Sequence, residues 1–188
     1  MTTNTHTAAS TRAAVNRTVT TAHATGTGAL GAGAAVPAGT GRIDFAKTAP
    51  KAFRALVGFD AAAREGLDPA LVELILIRAS HLNRCAYCLH LHTNDARTAG
   101  ESEDRLHLVA VWHEARHFFT PREQAALALT DAVTRLTDAG VPDDVYAEAA
   151  AQFDATELGH VLALVLAINT WNRLALATAK VAGTDERR

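Results

Sequence analysis

Three short stretches of this chain leave the backbone little choice of conformation. Thr120-Pro121-Arg122-Glu123 sets a hydroxyl, a proline and, three residues after the hydroxyl, a carboxylate. Thr120 can accept from the backbone N–H of Glu123 while Glu123 reaches back to that of Thr120, and Pro121 stands at the first helical position, where no N–H is needed. Asp154-Ala155-Thr156-Glu157 repeats the spacing with an aspartate as the cap, and Asp68-Pro69 joins a capping residue to a proline. Each stretch opens a run rich in Ala and Leu, which are strong helix formers. The stops are equally plain, with Gly66, Gly100 and Gly140 following such runs.

Read between these signals, the chain is a succession of helices. Pro50 opens one that runs to about Glu65, and Asp68-Pro69 opens a second that runs to about Leu82. A third carries both cysteines and ends at Gly100, and a fourth runs from its cap at Ser102 to about Phe118. Helices capped at Thr120 and Asp154 run towards Gly140 and Ala179, with a short one from Pro142 to about Phe153 between them. No alternation of Val, Ile and Thr reaches strand quality. The expected fold class is all-α, with about six to seven helices.

Residues 2–41 differ from the rest. They are mostly Thr, Ala and Gly, with no acid before Asp44. Such a segment has too little apolar bulk to offset the entropy of ordering, so residues 1–41 are expected to be a disordered tail and 42–188 the folded domain. The scarcity of acids there suits a transit peptide, but the amphipathic pattern of one is missing. A formal net charge of −2 predicts no general affinity for nucleic acid or anionic membranes. No uninterrupted apolar run reaches the roughly 18 residues of a membrane span, and Leu158 to Ala167, broken by Gly159 and His160, reads as a buried helix. With no secretory signal visible, the expected location is the cytoplasm.

Chemistry concentrates in CAYCLHLH, residues 85–92, which holds both cysteines of the chain. At about 100° per residue on a helix, Cys85, Cys88 and His92 fall within roughly 60° of one another, whereas His90 is turned about 160° from Cys88. Cys-x-x-Cys at a helix start is a dithiol geometry in which the N-terminal dipole stabilises a thiolate, and a histidine one turn on can take the thiol proton. Zinc is the alternative. Cys85, Cys88 and His92 would supply three ligands, and the fourth would have to come from elsewhere, since no second cysteine pair exists. Two inert buried cysteines are the remaining possibility. His113-Glu114-Ala115-Arg116-His117 matches the zincin pattern H-E-x-x-H, but the continuation Phe118-Phe119-Thr120-Pro121 breaks the helix and adds no third ligand.

Glu73 to Arg97, ELILIRASHLNRCAYCLHLHTNDAR, resembles the core of the carboxymuconolactone decarboxylase-like superfamily, and within it the alkylhydroperoxidase D-like branch. Ala49-Pro50, the spacing from Glu73 to the cysteines, Phe119-Thr120-x-Arg122-Glu123 and Asn169-Thr170-Trp171-Asn172-Arg173 extend the resemblance from about Arg42 to Ala182. It implies a hydroperoxide reductase in which Cys88 attacks the peroxide, Cys85 resolves the sulfenic acid as a disulfide, and His92 deprotonates the attacking thiol. Glu73 would be the carboxylate of the proton relay, acting through water. An acid within the apolar run Leu71 to Ile77 calls for a partner, and an ion pair with Arg78 or with another helix is the competing explanation. Tyr87 stands where the best-known branch has a further relay histidine, and His81 where relatives often have Gln. Both are supporting candidates, although His81 reads more readily as a surface residue at a loop end. Trp171, Asn172 and Arg173 are expected to pack around the site, and His160 to face the core or an interface.

The resemblance also implies a homo-trimer or hexamer and an external dithiol as electron donor, with no bound cofactor or metal. Two rivals stand beside the peroxidase: a lactone decarboxylase on the same fold, which needs no dithiol, and a zinc-stabilised binding protein without enzymatic activity.

Overall fold

The computed structural model describes residues 42–184, and the expectation for the tail lies outside them. Eight α-helices and two short 3-10 turns make up the described residues, and these contain no strand. The helices are α1 (Phe45–Thr48), α2 (Pro50–Ala63), α3 (Pro69–Asn83), α4 (Ala86–Thr98), α5 (Glu103–Leu108), α6 (Pro121–Thr134), α7 (Asp143–Gln152) and α8 (Ala155–Ala177). The caps act as their sequences dictate. Asp68 accepts from the Leu71 N–H, and both capping boxes close reciprocally. Arg122, inside the first box, donates to Glu157 of the second at 2.6 Å and to the Gln152 carbonyl. The starts of α6 and α8 are thereby tied together.

The organising element is α3, which packs on α4, α6 and α8. Leu71, Val72 and every residue from Leu74 to Ser80 are buried. A helix apolar on all sides belongs in a core, not on a surface. It carries two charges of opposite sign, Glu73 and Arg78, and each has to find a partner in the interior. Arg78 finds Asp131 of α6, with bonds of 2.5 and 2.7 Å from Nε and Nη2, while its Nη1 donates to the Ala110 carbonyl at 2.5 Å. The ion pair between Glu73 and Arg78 is therefore not formed.

The largest departure from the sequence reading lies between residues 103 and 118. The expected helix stops at Leu108 and continues as a 3-10 turn over Val109–Val111, an open stretch, and a second 3-10 turn over Arg116–Phe118. Distant donors take over the backbone carbonyls. Arg78 binds that of Ala110, Arg105 that of Phe118, and Gln124 those of Arg116 and Phe119. Buried Val109, Trp112 and Phe119 then pin the irregular path to the core. His113 and His117 consequently do not share a helix, and the H-E-x-x-H match has no metal-binding geometry. His113 instead bonds Asp131 at 3.1 Å.

Two smaller differences concern α1 and α6. The sequence announces no helix before Pro50, yet Asp44 caps α1. α6 stops at Thr134, short of the expected end near Gly140, whereas α8 ends close to the expected Ala179. At 23 residues α8 is long and apolar enough to cross a membrane, yet it packs on α2, α3 and α6 with Val161, Leu164, Val165 and Ile168 fully buried.

Candidate active site

The site begins at the corner between α3 and α4. Arg84 adopts a left-handed conformation with φ 56°. The Arg84 N–H bonds the His81 carbonyl and the Cys85 N–H bonds the Ser80 carbonyl, at 3.1 and 3.0 Å. This is the Schellman arrangement that closes a helix C-terminus, here built without glycine. Asn83 fastens the corner to α8 by donating to Asn169 at 2.9 Å and to Asn172 at 2.8 Å. Asn172 donates in turn to the hydroxyl of Ser80. Trp171 meets Phe53 edge-on, so Trp171 and Asn172 do brace this region.

Cys85 is thus the residue that closes α3 and also the cap of α4. Its sulfur accepts from the Cys88 N–H at 3.3 Å. Cys85 and Cys88 are bonded as a disulfide with their Cα atoms 5.4 Å apart, and both are buried, at 1% and 3% exposure. Cys88 lies in the first turn of α4, where the helix dipole favours a thiolate.

His92 follows Cys88 by one turn on the same face and is also buried. Its Nδ1 lies 3.1 Å from Oε2 of Glu73, a direct contact where the sequence reading had placed a water. An Nδ1–H donated to a carboxylate leaves Nε2 as the basic nitrogen, which is the form able to accept a thiol proton. The other oxygen of Glu73 accepts from Arg64 Nη1 at 3.4 Å, and Arg64 Nε in turn binds Asp60 at 2.9 Å. Glu73 also borders a cleft of about 290 Å³ between α3, α4 and α5, walled by Ala70, Ala96 and Ala99 with Glu101 and Arg105 at its side. Glu73 is less deeply buried than His92, and Arg64 beyond it is more exposed still.

The other candidates occupy distinct places. Tyr87 is partly buried against the core cluster that contains both cysteines. His81 is not at a surface loop end. It lies in the last turn of α3, partly buried, and its buried Nδ1 has no hydrogen-bond partner. Burial, and then the charge of Arg78, hold its pKa below the usual histidine value. His160 bonds the Ala62 carbonyl of α2. Nothing local in the sequence marks Arg64, the C-cap of α2, as the partner of an acid nine residues later, or Asp60 as the group that holds it.

Metal donors are grouped differently from the sequence-based zinc set. Glu73, His92 and Asp95 each bring one donor atom within 4.8 Å of the others. Carboxylate and imidazole donors of this kind suit a divalent cation. Neither cysteine belongs to this group.

Residues 50–132 match the model of the carboxymuconolactone decarboxylase family. The uncharacterized protein YdfG of Bacillus subtilis (strain 168) is 31% identical over 137 residues, covering 72% of this chain and 92% of YdfG. A protein of unknown function from Agrobacterium tumefaciens, provisionally named an antioxidant defence protein AhpD, has a crystal structure that matches with TM-score 0.72 and 35% identity. That match covers 77% of this chain and 99% of the other. An uncharacterized peroxidase-related protein from Ralstonia eutropha JMP134, described as an alkylhydroperoxidase AhpD core, shares the fold with TM-score 0.64 and 21% identity, covering 74% of each chain.

Proposed function

Since the chain belongs to the carboxymuconolactone decarboxylase family, in its AhpD-like branch, we propose that it is a thiol-dependent hydroperoxide reductase cycling through the Cys85–Cys88 disulfide. One observation carries this reading: a bonded Cys-x-x-Cys pair at a helix start, followed one turn later by a histidine whose Nδ1 is engaged by a buried carboxylate.

In the reduced protein, Nε2 of His92 takes the Cys88 proton, and Glu73 fixes the ring and stabilises the imidazolium that forms. The thiolate attacks the terminal peroxide oxygen. The O–O bond breaks, Cys88 becomes a sulfenic acid, and the departing alkoxide takes the proton from His92 and leaves as an alcohol. The Cys85 thiol then gives up its proton and attacks the Cys88 sulfur; the S–O bond breaks, the disulfide forms, and the departing hydroxide takes up that proton and leaves as water. One hydroperoxide and two thiols have become one alcohol, one water and one disulfide. An external dithiol returns the two electrons by exchange at the disulfide. Re-reduction in every cycle fits a reducing compartment such as the cytoplasm.

Lactone decarboxylation makes no use of a dithiol, so the sulfur pair favours peroxide chemistry over it, and a structural zinc would need a fourth ligand beyond Cys85, Cys88 and His92. Val57 and Phe59 on α2, with Leu166 and Leu176 on α8, are exposed and support assembly into a homo-trimer or hexamer. Peroxide consumption with a dithiol donor tests the function. Wild type should turn over and Cys88→Ser should not, and equal rates would overturn the reading.

A further inference from the structure

We propose that Arg64 is a positioning residue for the thiol chemistry. By binding Oε1 of Glu73 it reserves Oε2 for the Nδ1–H of His92, and so selects the imidazole tautomer that can accept the Cys88 proton. The inference rests on the peroxidase reading for its catalytic meaning, but its geometry stands alone.

Glu73 is bracketed by two donors on different helices, Arg64 of the α2 C-terminus at 3.4 Å and His92 of α4 at 3.1 Å. A carboxylate offers two equivalent oxygens, and rotation about its last bond exchanges them at little cost. With one oxygen occupied by a guanidinium, the other has a fixed direction. Arg64 is itself held by Asp60, four residues earlier on α2, an i,i+4 pair on one helix face. Its position is therefore set before Glu73 is considered. Other charged groups around Glu73 do not duplicate the role. Asp95 of α4 is an acid and adds no donor, as is Glu101 at the side of the cleft. Arg105 there is engaged by Glu101, Glu123 and the Phe118 carbonyl. Without Arg64, Glu73 can swing towards the cleft and release His92, whose ring then samples the Nε2–H tautomer. That form carries its proton on Nε2 and cannot take a second one there as a base.

The test uses the full chain reduced with excess dithiol, its histidines labelled with nitrogen-15. Wild type should show His92 in the Nδ1–H form. Arg64→Gln should show a mixture of tautomers, and Cys88 alkylation by iodoacetamide should slow by roughly threefold to tenfold, the range of a partly exposed charge-assisted contact. Arg64→Lys should restore most of both, and Asp60→Asn should give a smaller change in the same direction. Circular dichroism melting confirms that the variants are folded. If Arg64→Gln keeps the wild-type tautomer and alkylation rate, or if Lys restores neither, the proposal is overturned. Should wild type fail to reduce peroxides while the tautomer still responds to Arg64, the peroxidase reading falls and the positioning role stands.

Discussion

Replacing Glu73 by glutamine changes one atom and leaves the shape of the side chain in place. Glu73 is 13% exposed and His92 8%, so their contact at 3.1 Å is only weakly screened. A hydrogen bond to a charged group contributes roughly 1.5–3 kcal/mol, and a neutral one about 0.5–1.5 kcal/mol. The difference acting on the imidazolium that forms when Cys88 ionises is about 1–2 kcal/mol, which converts to roughly 5- to 30-fold in the thiolate population. A second effect adds to this, because the glutamine amide can donate to Nδ1 and hold His92 in the wrong tautomer. Where a comparable substitution fixes the wrong tautomer in a serine protease, the loss is about ten-thousandfold. The expected loss for Glu73→Gln therefore lies between about 5-fold and that limit. The assay is the rate of iodoacetamide alkylation of Cys88 in a Cys85→Ser background, so that a single thiol reports. A rate within about twofold of the parent would refute a role for Glu73 in activating the thiol.

Three further predictions concern the frame around the site. Arg78→Leu leaves Asp131 without its bidentate partner in the interior and should cost about 3–5 kcal/mol by urea denaturation. Adding Asp131→Leu should recover much of that, and a single-variant cost under about 1 kcal/mol would contradict the burial argument. His81 has its pKa lowered by burial, so the unfolded chain binds the proton first as pH falls. The stability carried by its neutral form is present above the unfolded value near 6.5 and is lost below it, through the lowered folded value. His81→Gln should consequently lose less melting temperature than wild type between about pH 7.5 and pH 5, and equal losses would argue against it. Arg84→Gly places the residue that the left-handed corner prefers at φ 56° and should stabilise the protein by about 0.5–1 kcal/mol in thermal melts.

What could be read from the sequence was whatever depends on near neighbours. The caps at Asp68, Thr120 and Asp154 involve partners three residues away, and all three helices start where those residues stand. The all-α class and the common face of Cys88 and His92 follow from the same short-range spacing, and the family from the resemblance carried by Glu73 to Arg97 and the motifs around it. Glu73 is conspicuous as an acid in an apolar run, and the resemblance sets it in one relay with His92, but nothing local marks Arg64 as its second partner. Arg64 lies on another helix, and Arg78, the near candidate, is drawn 53 residues along the chain to Asp131. The path from Val109 to Phe118 was misread because its carbonyls are claimed by Arg78, Arg105 and Gln124, whose approach no local pattern announces. The end of α3 was placed to within a residue without glycine to mark it, and the Asn83 contacts with Asn169 and Asn172 that brace it span 86 and 89 positions.

Mass spectrometry after brief exposure of the reduced protein to a hydroperoxide tests the proposed division of labour between the two sulfurs. Wild type should lose two hydrogens and show a Cys85–Cys88 disulfide, whereas Cys85→Ser should gain one oxygen, mapped to Cys88 as a sulfenic acid. Oxygen accumulating on Cys85 in the Cys88→Ser variant, with none on Cys88 in Cys85→Ser, would reverse the assignment. No change at either sulfur would contradict the peroxide chemistry itself.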